Sequence, residues 1–339
     1  PAQLRAATNR LQLDLQGPRL DTIASWTGDL SFEPGPFAAS ASLRGMDGGL
    51  ALDDLVIEVG TRGTAWCRIQ GSATDIADLQ DGGLGAVQGL DLEMQLFTPN
   101  SANLESWLKL PLPPGFSVEG ALSLQGDGRL LQPVAGHVHA RSSDISLTIE
   151  PVAGEIRPTA DPVASKLEAG LYLSMSDTSA LSQFTEFVVP VLGEVDGTAL
   201  LRQTDQGFSL QDIDLKVQDD ELSITSTGSV SQLSPLGGLS LETRFAGLDL
   251  AALLTGFVDN FHYERSLGSL EGSAQLNLRS NAWSLEHVRI ATSDPDGPVV
   301  LALSGSARDL SRFPATDSEL RYHVRDPDFL AAFTGLHMN

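Results

Sequence analysis

One pattern returns four times along this chain, and it limits the fold more than any other feature. Residues Gly35–Gly60 read GPFAASASLRGMDGGLALDDLVIEVG. Apolar and polar residues alternate, the chain turns on glycines, and the alternation resumes. Period-two alternation puts every second side chain on one face, so this is a β-hairpin with one apolar face. In the first strand of each copy the apolar positions are Phe37, Ala39, Ala41 and Leu43, then Val118, Gly120, Leu122 and Leu124. They continue as Val195, Gly197, Ala199 and Leu201, then Leu270, Gly272, Ala274, Leu276 and Leu278.

The second strand repeats more closely. LALDDLVIEV carries Leu50, Leu52, Leu55, Ile57 and Val59, and FSLQDIDLKV carries Phe208, Leu210, Ile213, Leu215 and Val217. WSLEHVRI carries Trp283, Leu285, Val288 and Ile290. In each, one apolar step is three residues instead of two. An odd step flips the facing unless the strand absorbs an extra residue, so a bulge or sharp bend is expected there. It falls at Asp53–Asp54, Gln211–Asp212 and Glu286–His287. The second copy is degenerate, with its step from Leu131 to Val134. Because the Asp53–Asp54 carboxylate pair does not recur at matching positions, it reads as a solvated bend, not acid–base machinery.

A third strand closes on a Gly-Ser pair at Gly71, Gly228 and Gly305. The second copy lacks it and reads GEIRPTAD nearby. A fourth strand follows in each copy (LDLEMQL, KLEAGLYL, LSLETRF, ELRYHV), and then a short helical pattern. Helices are expected at 104–110, 180–189, 250–258 and 329–336, with Asp177, Asp249 and Asp326 as N-terminal caps. The chain begins out of phase: residues 10–27 read as the fourth strand and helix of a preceding unit. The repeats are then 28–110, 111–192, 193–260 and 261–339. Together they form one repeat array, 1–339, read as a segment of a longer protein.

Composition narrows what such an array does. Of 339 residues 41% are hydrophobic but only 6% aromatic, which argues against a thick aromatic core. The net charge of −23 opposes nucleic-acid phosphates and a basic dock on an anionic membrane. The one cysteine, Cys67, stands in the strand-like run TAWCRIQ and reads as a buried thiol. No stretch has the roughly 18 to 20 apolar residues of a membrane-spanning helix.

An apolar sheet face must be covered or used. With about four strands and one short helix per unit, the economical fold is mainly β with short helices. It is an elongated, repetitive β-groove of about four repeats of roughly 75–80 residues. Its lining would be Phe37, Leu43, Leu52, Leu55, Ile57, Val59, Val118, Leu122, Leu124 and Val138. In the later repeats it would be Leu201, Leu210, Ile213, Leu215, Val217, Leu270, Leu276, Leu278, Val288 and Ile290. The competing architecture is a β-sandwich or β-solenoid whose apolar side is simply packed core. A charge at Ile213 or Leu276 separates the two: in an open groove it stays hydrated and the fold survives.

The order L-D-L-x-G-P-x-L-D-x-I (Leu13 to Ile23), then G-P-F at Gly35–Phe37, L-A-L-D-D-L at Leu50–Leu55 and a Gly-rich closing strand resembles the AsmA family of Gram-negative bacteria, relatives of TamB-like proteins. The resemblance implies a periplasmic rod tethered to the inner membrane by an N-terminal helix. It also implies a repeating hydrophobic groove carrying phospholipid between the inner and outer membranes. The implied partners are phospholipid acyl chains, the inner-membrane anchor and outer-membrane components. The alternative in a different class is a scaffold for outer-membrane protein biogenesis that accepts strands along open sheet edges.

Other chemistry is sparse. His137-Val138-His139 puts two imidazoles on one side of a strand, but no acidic or thiol partner recurs at ligand spacing. Asp294-x-Asp296-Gly297 reads as a Pro/Gly turn without the later glutamate of a calcium loop. Trp26 and Trp107 fall in equivalent helical segments. There is no nucleophile elbow or phosphate loop, so the reading is of a non-enzyme with no cofactor and no metal. If about 17 strands stack at roughly 4.8 Å, the body is about 80 Å long. Small-angle scattering checks this: a compact body of this length has a radius of gyration near 20 Å, and that value refutes the rod.

Overall fold

The computed structural model describes residues 10–18, 35–46, 49–76, 86–104, 114–157, 164–184, 191–205, 207–219, 222–233, 236–251, 267–279, 282–308, 316–326 and 329. Among them the fold is mainly β, an open antiparallel sheet with few helical residues, as the alternation predicts. The chain divides into two compact units, residues 1–171 and 172–339, each described by itself.

In the first unit β1 (Arg10–Gly17), β2 (Phe37–Met46), β3 (Gly49–Gly60), β4 (Trp66–Ile76) and β5 (Val87–Thr98) are followed by a 3₁₀ turn at Ser101–Leu104. Then come β6 (Ser117–Gly126), β7 (Leu131–Arg141) and β8 (Ile145–Ile156), while β9 (Ala164–Met175) runs across the division. From β1 to β8 each strand pairs antiparallel with its sequence neighbour. In the second unit the end of β9 is followed by a 3₁₀ segment at Thr178–Phe184, then β10 (Glu194–Thr204), β11 (Gly207–Gln218), β12 (Ser223–Leu233) and β13 (Leu236–Asp249). It closes with β14 (Ser269–Arg279), β15 (Ala282–Thr292), β16 (Val299–Ala307) and β17 (Thr316–Val324), again paired with sequence neighbours.

The expected bulges are present. The ladders slip between Leu52 and Leu55, between Leu210 and Ile213, and between Leu285 and Val288. At each slip one residue adopts a left-handed backbone: Asp54 at φ 52°, Asp212 at 50° and His287 at 53°. Asp and His tolerate this region better than most side chains. The left-handed residue absorbs the odd step, so the apolar residues after it return to the same face. Opposite the first returning residue stands the glycine of the Gly-Ser pair: Gly71 faces Leu55, Gly228 faces Ile213, and Gly305 faces Val288. A Cβ on Gly71 would run into the Asp91 carbonyl oxygen, and one on Gly228 into that of Ser240. The third strand therefore needs glycine there because the fourth strand's backbone lies against it.

The degenerate copy departs from expectation. In β7 the irregularity lies at Pro133–Ala135, opposite Ser123 and Leu124. Leu131 is buried, but Val134 is 59% exposed. Val134 thus takes the outward position of the irregularity and does not return to the apolar face. Lys166, at φ 52°, marks a different place in the repeat: it stands third in β9, as the left-handed Gly89 does in β5 and Gly238 in β13.

Among the described residues a helical start follows β5, β9 and β13, and of the expected helix at 329–336 only Phe329 is described, as helical. Asn100 Oδ1 accepts from Ala102 N at 3.1 Å, Asp177 Oδ1 from Ser179 N at 2.7 Å, and Asp249 Oδ1 from Ala251 N at 2.9 Å. Caps at Asp177 and Asp249 match expectation; Asn100 is a third. Beyond Leu104, Phe184 and Ala251 the expected helices lie outside the described residues, as do Trp26 and Trp107.

The bulge device is testable by substitution. Asp212→Gly relieves the left-handed strain and keeps stability within about 1 kcal/mol of the parent. Asp212→Val puts a β-branched residue in that region and lowers stability by about 1–2 kcal/mol. Gly71→Val forces two backbones apart and costs more than either, read from urea midpoints of the three variants.

Candidate functional site

Directly opposed residues in antiparallel strands share a face, so the registers assign every predicted lining residue. In the first unit one row crosses mid-strand through Leu15, Ala39, Ile57, Ile69, Met94 and Leu122. The row on one side of it holds Phe37, Val59, Cys67, Leu96 and Val138, with Val118 at the same strand ends. On the other side lie Leu55, Leu92 and Leu124, and beyond them Leu43 with Leu52. In the second unit Leu201 faces Leu210, and Val217, Ile224 and Phe245 form a row that reaches Ile290 through Gly272. Ile213 and Leu276 join through Gly228 and Leu241, while Leu215, Val288, Leu270 and Leu278 occupy the same face. Each unit thus gathers its share of the predicted residues on one sheet face.

Burial along that face is uneven. At the strand ends nearest the helical starts, the first unit packs Ala65, Leu104 and Val118 against Leu96, Val138 and Ala140. At the opposite ends Ala73, Ile76 and Val87 pack with Leu43, Leu50, Leu52 and Leu90. In the second unit the cluster at the helical end is Leu250, Leu267, Leu270, Val299 and Phe329. Val230 and Leu278 are buried toward the other end. Between these closed ends, Leu55, Ile57, Ile69, Met94, Leu122, Leu215, Leu241, Leu276 and Ile290 are only half-buried. The middle of each face is apolar and partly open.

Ile213 differs from its neighbours. It is 8% exposed, so the hydrated charge expected for Ile213→Asp has no water to hold it. That substitution reports on folding, whereas Leu276→Asp, at a half-buried site, reports on the open face.

The other face carries the charges. Arg44 donates from Nε to Asp53 Oδ2 at 3.0 Å, which holds the Asp53 carboxyl below its ordinary range. His137 and His139 lie there with ring centroids 4.7 Å apart, and His139 Nδ1 is 2.8 Å from Thr148 Oγ1. Sequence reasoning missed a hollow of about 730 Å³ on this side of the second unit, whose lining includes Arg244, Ser273, Arg289, Ser304, Glu319 and Arg321. Its charges alternate: Arg244 pairs with Glu242 at 2.7 Å and Arg321 with Glu319 at 2.8 Å. Interleaved exposed pairs of both signs present no field of one sign to a ligand. The signal that could have located this hollow is the E-x-R spacing in ETR and ELR on the fourth strands of the last two repeats, β13 and β17.

Asp294 accepts from Asp296 N at 2.9 Å, making the turn expected of SDPDGP. Among the described residues no group of three or more His, Cys, Asp or Glu is arranged to hold a metal ion. No family model matches the chain, and no curated protein matches it.

Cys67 is a built-in reporter of the apolar face. It lies between Val59 and Leu96, and burial pushes its thiol pKa up. Its alkylation by a neutral maleimide should therefore accelerate at a higher pH than that of a free thiol. A charged reagent of the same size should react more slowly than the neutral one; equal rates would place the thiol in bulk water.

Proposed function

We propose that the chain binds phospholipid acyl chains along its apolar sheet faces and serves as a segment of a bridge-like lipid-transfer protein. The observation that supports this is the half-buried mid-strand band of Ile57, Ile69, Met94 and Leu122 in the first unit, and of Leu215, Leu241, Leu276 and Ile290 in the second. A packed sandwich core would bury such residues fully, and leaving them half-exposed forgoes roughly 25 cal/mol for each Å² of apolar surface. A fold retains that cost where another apolar body supplies the cover. Each acyl methylene buried contributes about 0.8 kcal/mol, so a partly covered chain binds without any single deep polar contact. A shallow, uniform wall of this kind suits movement along it.

The motifs that resemble the AsmA family support the wider setting. In it the protein lies in the periplasm, tethered to the inner membrane, and works between inner- and outer-membrane components. A second reading has one specific observation behind it. β17 pairs with β16, and its apolar-face residues Leu320 and Tyr322 are 55% and 70% exposed. A strand of another protein could extend the sheet there, as a scaffold for outer-membrane protein biogenesis would require.

Organic extraction of the purified protein followed by mass spectrometry should recover phospholipid. Leu276→Asp and Met94→Asp should each lose most of it while the thermal midpoint moves by no more than a few degrees. If both variants unfold, the band is core and the lipid reading fails. Intact variants that keep their lipid refute it equally.

A further inference from the structure

Three copies of the repeat allow the same cross-strand pair to be compared at one place on the apolar face. Two residues before each Gly-Ser glycine, the third strand faces the fourth as Ile69 with Met94, Ser226 with Thr243, and Leu303 with Leu320. The flanking second-strand residue is apolar in every copy: Ile57, Leu215 and Ile290. One copy therefore places two hydroxyls where the others place large apolar side chains.

Ser226 Oγ and Thr243 Oγ1 lie 2.9 Å apart in a partly buried hydrogen bond. That bond uses one of the two hydroxyl hydrogens. The other has no partner among the described residues, and both oxygens keep accepting capacity. Around the pair lie Leu215 and Ala274 along the row, with Gly228, Leu241, Ile224 and Phe245 one step to either side. Water is a poor long-term partner on a face that a lipid covers, so the spare donor needs an acceptor carried by the lipid.

We propose that the Ser226–Thr243 pair is a polar subsite that hydrogen-bonds an ester carbonyl of a diacyl glycerolipid lying on the apolar face of the second unit. The inference rests on the lipid-binding reading above and narrows it to ester-linked lipids. A carbonyl oxygen accepts from the free hydroxyl while the chains on either side contact Leu215, Leu241 and Phe245. An ether-linked analogue of the same shape presents no carbonyl and offers the donor only a weaker ether oxygen.

The test is competition between short-chain diacyl phosphatidylcholine and its dialkyl ether counterpart for the purified chain. The parent should prefer the ester by about fivefold, the discrimination one hydrogen bond supplies. Ser226→Ala with Thr243→Val removes both hydroxyls without adding bulk; it should abolish the preference while ether-lipid affinity stays within about twofold. Ser226→Ile with Thr243→Met installs the pair found at Ile69 and Met94 and should abolish the preference by a second route. A preference that persists in either folded double variant overturns the proposal, as does a parent that binds both lipids equally. A parent that binds neither lipid overturns the lipid-binding reading itself, which separates the two failures.

Discussion

The left-handed residue in the second strand of the repeat is the constraint on which the other features depend. An alternating strand that takes one odd step sends half its apolar side chains to the wrong side of the sheet. Asp54, Asp212 and His287 prevent this by absorbing one residue at φ near 50°. Opposite the returning residue the third strand lies against the fourth strand's backbone, and only glycine leaves room for it there. The Gly-Ser pair and the odd step are thus two halves of one device.

That device sits in mid-strand, while the packed clusters sit at the strand ends. The separation divides labour along each strand. Phe37, Val118, Leu250 and Leu267 secure the end where the helical starts are capped, and Ala73, Ile76 and Val87 secure the other. A polar hub reinforces the first: Thr98, fully buried, has its hydroxyl 2.7 Å from the carbonyl oxygens of both Thr64 and Asn100. Between the two held ends the middle of the apolar face is left half-buried. The low aromatic content, 6%, fits the same picture, since no thick interior has to be packed.

Local periodicity made much of this legible. Alternation defined the strands, the odd step located the bulges, and an aspartate before apolar helical spacing marked the caps at Asp177 and Asp249. These signals are short-ranged, because each comes from a backbone conformation that a few neighbouring residues determine. The degenerate copy failed where the same reasoning ignored proline: Pro133 lies in the β7 irregularity, so the apolar spacing from Leu131 to Val134 no longer reports facing. Depth was not legible either. Ile213 and Leu215 are two residues apart on one face, yet one is buried and the other half-buried. Their hydrophobicity is equal; what differs is their place relative to the bulge and to the strands beside it. The polar-face hollow was hidden for a related reason, since Arg244, Arg289 and Arg321 come from three strands that only the ladder brings together.

A repeating sheet also explains how chemistry can vary without disturbing the fold. Backbone pairing, bulge and glycine maintain the architecture, so the side chains on the half-open band are free to change from copy to copy. Ile69–Met94, Ser226–Thr243 and Leu303–Leu320 occupy one position of the ladder with large apolar, hydroxyl and again large apolar pairs. In a packed core, exchanging Ile and Met for Ser and Thr leaves a cavity and two polar groups in need of partners, at a cost of several kcal/mol. On a half-open face the cavity is filled by whatever covers the face, and the hydroxyls first satisfy each other. The tolerance at this row follows from where the packing sits, since the clusters of fully buried residues lie toward the strand ends.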